Sequence, residues 1–305
     1  LPPPVAAIEQ SVHAIFAFQA GVGLPACDLL SRAEDALTAA LRPGDNAVGD
    51  VSIIVGHALR MQGELPRLAA QVERVLRIAD DRADRFLETS AKLGGHVNWL
   101  AADAPEVSRH VVGALAWPEI EGAFHVQHWL RAEAEVETAL YEGDARGAID
   151  RLAPALPRLA FAVLRQLQSV RISCDFTLGR LAIGAREEGA TGAWRGWLAL
   201  ARARLGRDRL PPAQVRARLL GAGHAALGGD RRAAVRELSA ARAIARASSH
   251  RLYDALAGYA LVRLGVLEGA AARAVHETLE ALGVTRPERF VRVELPGFGR
   301  LFEGR

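Results

Sequence analysis

The chain has 305 residues, half of them apolar, a quarter charged and only 6 % aromatic, a composition that is neither disordered nor fibrous and predicts a packed core. Net charge is +3, yet 37 of the 38 basic residues are arginine, and Lys92 is the sole lysine. In Ser90-Ala91-Lys92-Leu93-Gly94 it fits neither a Gly-Lys-Ser/Thr phosphate loop nor the strand lysine of a protein kinase, so neither nucleotide chemistry is expected in this chain.

The chain opens Leu1-Pro2-Pro3-Pro4 with no initiator Met, the start expected of a processed form or of a piece of a longer polypeptide. It has no basic region of a secretory signal, and no stretch approaches the roughly 18 to 20 unbroken apolar residues of a membrane helix. Cys27 and Cys174 lie far apart and form no Cys-x-x-Cys pair. A cytoplasmic protein with no membrane partner is expected.

Apolar residues recur at three and four along nearly the whole chain, so about fourteen helices with short turns are predicted. Val51-Ser52-Ile53-Ile54-Val55 is strand-like, but Asp50 before it and Gly56-His57-Ala58-Leu59 after it predict a buried helix start. Pro25, Pro66, Pro105, Pro118 and Pro212 stand where first helical turns are expected, and Asp144, Asp230 and Ser249 are candidate N-caps. Asp80-Asp81 with Asp84, and Glu187-Glu188, are likewise expected at helix starts, where carboxylates complement the dipole.

A small or apolar residue followed by Gly recurs at Gly56, Gly94, Gly179, Gly221 and Gly258, in steps of 38, 85, 42 and 37 residues. Turns at Gly63-Glu64, Gly143-Asp144 and Gly229-Asp230 fall between paired helices. A glycine there removes a side chain so that the partner helix can approach, against a propensity cost of about 1 kcal/mol. The fold class predicted is all-α: a right-handed superhelical solenoid of about seven helical hairpins with units near 40 residues. Residues 217–247 resemble the tetratricopeptide repeat best, with Leu220, Gly221, His224, Ala233 and Ala240 on its offsets.

Candidate chemistry is sparse. His125 and His128, with Glu121 one turn earlier, have metal-ligand spacing, but Val126, Trp129, Leu130, Val136 and Leu140 share the helix, and a packed histidine is expected. Trp194 and Trp197 flank Arg195 and are read as hairpin core rather than a base-stacking surface. No catalytic residue, metal or cofactor is assigned. Charge is polarised: residues 1–150 carry 12 basic and 22 acidic side chains, whereas 151–305 carry 26 and 13. The single domain 1–305 thus reads as an acidic half (1–150), a basic half (151–285) and a C-terminal extension (286–305). Arg202, Arg204, Arg207, Arg209, Arg216 and Arg218, followed by Arg231, Arg232, Arg236, Arg242 and Arg246, form a stripe that would attract an acidic peptide, a phosphate group or nucleic acid. Arg165, Arg171, Arg202, Arg209, Arg216 and Arg218 are the candidate partner-binding residues.

Leu164-Arg165-Gln166-Leu167-Gln168-Ser169-Val170-Arg171-Ile172, following Tyr141-Glu142-Gly143-Asp144, resembles the tetratricopeptide-like tail of large bacterial serine/threonine protein kinases that carry a STAND or AAA-type ATPase module. Glu268-Gly269, Gly283-Val284, Pro287-Glu288-Arg289 and Pro296-Gly297-Phe298 are similar to the end of that tail. The resemblance implies a non-catalytic sensor or scaffold, with kinase and ATPase activity in upstream domains and a protein, acidic peptide or ligand on the concave face. The kinase and Walker motifs are absent, so no catalytic residue carries over. The alternative is the helical arm of a STAND-type transcription regulator, or a standalone repeat protein, that binds nucleic acid.

Overall fold

A computed structural model describes residues 3–19, 24–41, 46–115, 124–161, 166–192 and 195–299. Among these there are helices and no strand. The first half comprises α1 (Pro3–Gln19), α2 (Leu24–Ala40), α3 (Asn46–Gln62), α4 (Leu65–Arg82), α5 (Arg85–Gly95), α6 (Val97–Ala101), α7 (Pro105–Ala114) and α8 (Val126–Glu142). The second comprises α9 (Ala145–Leu152), α10 (Leu156–Phe161), α11 (Gln168–Glu187), α12 (Arg195–Arg207), α13 (Pro211–Leu227), α14 (Arg231–Ala247), α15 (Arg251–Arg263), α16 (Gly269–Ala281) and α17 (Pro287–Glu294). More segments form than the apolar period predicts. A turn at His96 separates α5 from α6, and a single 3-10 turn at Ala153–Ala155, where Pro154 lacks an N–H, separates α9 from α10.

Helices buried over most of their surface alternate with helices that bury one stripe. In α13, ten residues between Pro212 and Ala226 are buried and cover more than half of its circumference, with Arg218 exposed on the remaining side, whereas α14 buries only Ala234, Leu238, Ala241 and Ala245. The pattern recurs in α8 with α9 and in α15 with α16. A helix apolar over most of its circumference belongs to an interior and a one-stripe helix to a surface, so each pair places one helix inside and one outside. Consecutive helices pack on one another through most of the chain.

The punctuation predicted from sequence is largely present. Gly63, Gly143 and Gly229 adopt φ of +74°, +80° and +75°, and Asp144 and Asp230 accept from the amides of Gly147 and Ala233 at 3.1 and 2.9 Å. Pro25, Pro66, Pro105 and Pro212 lie in first turns, while Pro118 is outside the described residues. The glycines also admit neighbours as expected. A Cβ on Gly179 would lie 2.5 Å from Leu220, one on Gly221 3.1 Å from Glu237, and one on Gly258 2.7 Å from Val275.

Five expectations need correction. Asp50 lies inside α3, which begins at Asn46, so Val51–Val55 are mid-helix. Asp80 and Asp81 end α4, and only Asp84 caps a start, accepting from Leu87 at 3.0 Å. Ser249 takes φ +60° in the turn, and His250 precedes α15. Nothing lies within 4 Å of a Cβ on Gly94; Gly95 makes the close approach instead, to Val72. Glu187 and Glu188 lie at the end of α11, yet they cap from a distance: Glu188 accepts from the amides of Ala145 and Arg146 at 2.7 and 2.9 Å, opening α9, and Glu187 from Gly297 and Gly299.

The described part of the segment expected as an extension, up to residue 299, packs into the core. Phe290, Val293 and Phe298 are buried, and α17 packs on α8, α11 and α15. The first and last thirds also meet: Thr285 donates its amide to the Ala101 carbonyl at 2.9 Å, Arg289 reaches Asp103 at 2.6 Å, and Leu252 sits on Gly63.

Candidate functional site

Where the interior helices converge they bury charge. Glu137 of α8 is the hub: both its oxygens lie 2.6 Å from Nη2 of Arg60 on α3, Arg180 of α11 donates from 2.8 Å, and His96 Nε2 lies at 2.9 Å. Arg180 bridges onward to Glu294 of α17 at 3.1 Å and donates to the Val293 carbonyl. One turn before Glu137, Glu133 accepts from Ser173 and Thr177 of α11 and lies 3.8 Å from Arg60. Arg216 of α13 completes the group, donating to the Tyr253 hydroxyl at 2.7 Å and stacking over the Phe176 and Tyr253 rings.

Burial sets the ionisation of this cluster as much as charge does. Burial opposes the Glu137 carboxylate, but Arg60, Arg180 and the His96 hydrogen bond outweigh it and hold the group well below its ordinary range. At Glu294 burial wins and raises the pKa despite Arg180. Burial also pushes His57 down to about 4 and Tyr253 up to about 12. Shifts of opposite sign on neighbouring groups mark a candidate site.

Two spaces adjoin the cluster and share His57 and Arg60. One is a void of about 20 Å³ amid the charges, the size of a single water. The other is a cavity of about 200 Å³ between α1, α3, α4, α5, α8 and the start of α11, walled by Phe18, Ile53, Val75, Trp129, Leu130 and Val170. Leu167, 54 % exposed, lines it and marks where it reaches the surface. The Phe18 ring meets the His57 ring edge-on at 5.9 Å.

The arginines proposed from sequence differ in burial. Arg209 and Arg218 are exposed, the latter 3.2 Å from Glu237; Arg202 is half-buried; Arg171 lies 3.9 Å from Asp208; Arg165 is outside the described residues. Arg216 is a correction: only 5 % exposed, it belongs to the interior cluster because it lies on the buried face of α13, opposite the exposed Arg218, and two aromatic rings receive its guanidinium. His125 precedes α8 and donates its amide to His128 Nδ1 at 2.9 Å, a helix-capping contact, while Glu121 lies outside the described residues. Among the described residues no group of three or more His, Cys, Asp or Glu is placed to hold a metal ion. Trp197 packs on the core, and Trp194 lies outside the described residues.

Sequence reading passed over Arg60, Glu133, Glu137, Arg180 and His57. The available cue was charge inside an apolar run: Arg180 lies between Phe176 and Ile183, and Glu133 and Glu137 share a helix whose neighbours are buried. Comparison with protein-family models, with curated proteins and with solved structures found no match.

Proposed function

We propose that the chain is a non-catalytic helical-repeat binding module, its inner and outer helices stacked as tetratricopeptide-like hairpins in a right-handed superhelix. The observation that carries this reading is the open, largely apolar cavity of about 200 Å³. In the second half the inner surface is taken up by the chain itself, since α17 and the Gly297 and Gly299 amides lie against α8, α11 and α15. Ligand binding on the concave face is therefore assigned to the N-terminal side, where that space remains. The resemblance to kinase tails supports a regulatory place in a larger bacterial signalling polypeptide, with ligand occupancy altering superhelix curvature.

A catalytic role is the competing class. The full chain, incubated with magnesium-ATP and a protein substrate, is expected to release and transfer no phosphate above a protein-free control. Turnover that a single substitution among the described residues abolishes overturns the reading.

Polyanion binding has one observation in its favour: α14 exposes Arg231, Arg232, Arg236 and Arg246. Salt-dependent binding of duplex or single strands that weakens with Arg218→Ala and Arg232→Ala would support it, and no binding at low salt would end it.

A further inference from the structure

Protein interiors pack to about the density of organic crystals, with few voids larger than a water molecule, so an apolar cavity of about 200 Å³ is an exception that asks for a reason. Its walls show that the space is kept. Gly56 on α3 and Ala91, Gly94 and Gly95 on α5 line it, all of them small. Gly95 is small because Val72 presses on it; Gly94 has no such reason, since a Cβ there meets nothing within 4 Å. Glycine is disfavoured in a helix, and the room that Gly94 vacates is taken by no neighbour but opens on the cavity.

The chemistry of the occupant follows from what the walls withhold. Ser52 and Gln71 both donate to the buried Glu34 carboxylate, Ser90 accepts from Gln127 at 3.0 Å, and Ser169 is engaged as well. Arg60 is turned to Glu137, both of whose oxygens lie 2.6 Å from Nη2. The two nitrogens without a partner near that end, His57 Nε2 and Arg60 Nη1, have essentially no accessible surface and are not presented to a guest. A charged or strongly polar guest would give up its hydration with nothing to replace it, and water, which needs two to four polar partners, finds none here.

We propose that the cavity is the seat of a small neutral apolar molecule, one ring with a short uncharged arm, lying against Phe18, Trp129 and Leu130 and entering beside Leu167. This rests on the binding reading above and names its ligand class. Size agrees: an apolar cavity of roughly 150 Å³ takes up benzene, and about 200 Å³ leaves room for a short arm. Access agrees too, because Leu167, 54 % exposed where it lines the cavity, sets an apolar side chain at the mouth.

Ethylbenzene and phenylacetate, similar shapes without and with a charge, are titrated into the full chain by calorimetry. Ethylbenzene is expected to bind at least tenfold more tightly. Gly94→Ala and Gly94→Leu fill the cavity in two steps from a position where an added Cβ meets no neighbour, and both exchange glycine for a better helix former. Each is expected to melt no lower than the parent in the absence of ligand, while ethylbenzene weakens at least twofold in Gly94→Ala and at least tenfold in Gly94→Leu.

Phenylacetate bound as tightly as ethylbenzene, binding by neither, or ethylbenzene affinity unchanged in both variants each overturns the apolar seat. The binding reading fails separately. Phenylacetate that binds in place of ethylbenzene and is lost in Gly94→Leu sinks the neutral ligand and keeps the binding module. Ethylbenzene that binds and is recovered chemically changed, by mass spectrometry, keeps the seat and sinks the non-catalytic reading.

Discussion

Arg180 shows how a charge survives in a protein interior. It is 1 % exposed, donates to Glu137, Glu294, Thr177 and the Val293 carbonyl, and its guanidinium lies 4.5 Å from the Phe176 ring centre. Each partner offsets part of a desolvation cost that amounts to several kcal/mol per buried ion. Arg180→Met keeps the volume and removes the donors, leaving Glu137 to Arg60 and His96 and Glu294 without its cation. We expect a loss of about 3–5 kcal/mol in urea unfolding, the usual cost of orphaning a buried partner. Arg218→Ala breaks a pair whose arginine is 47 % exposed, and less than about 1 kcal/mol is expected. Equal effects from the two would mean that the interior network contributes no more than a surface pair. None of this was legible from spacing. A periodic pattern says which residues share a helix face, and an arginine on an apolar face reads as a solvated stem until the two carboxylates from other helices are in place.

Local signals transferred well to the level of helices and turns, because they depend on residues within one turn of each other. The αL glycines at 63, 143 and 229 and the Asp144 and Asp230 caps are of this kind. The misplaced Glu187 and Glu188 show the limit: a carboxylate pair suits a helix start, and here the start belongs to another helix, 43 residues away for Glu188 and Ala145. The α13 helix gives a test of how tightly elements are fitted. A Cβ on Gly223 would collide with the Pro296 carbonyl, and Gly297 opposite it is at φ +100°, so neither backbone can retreat cheaply. Gly223→Ala is expected to destabilise by about 1–3 kcal/mol through overpacking. Gly206 in α12 meets nothing within 4 Å, and Gly206→Ala is expected to stabilise by roughly 0.5–1 kcal/mol through helix propensity. Thermal melts of the two variants against the parent decide it; shifts of the same sign would mean that the C-terminal segment does not press on α13.

An open array of hairpins holds each unit only to its neighbours, and its ends can melt independently. This chain is tied across its length, by Leu252 on Gly63, by Thr285 to Ala101 and by Arg289 to Asp103. Such contacts, 184 residues apart for Thr285 and Ala101, leave no mark in local periodicity, which is why the last helix was expected as an extension. They also change what unfolding should look like. Leu252 is 2 % exposed at the closure, so Leu252→Ala leaves a cavity costing about 2–5 kcal/mol. If closure makes the molecule one cooperative unit, that cost falls on both sides of it. Hydrogen exchange should then accelerate in α3 and α4 as well as in α15, and helix loss by circular dichroism should coincide with the fluorescence change of the buried Trp129 on α8. Acceleration confined to α14–α16, with α3 and α4 protected as before, would instead make the closure a passive contact between halves that fold on their own.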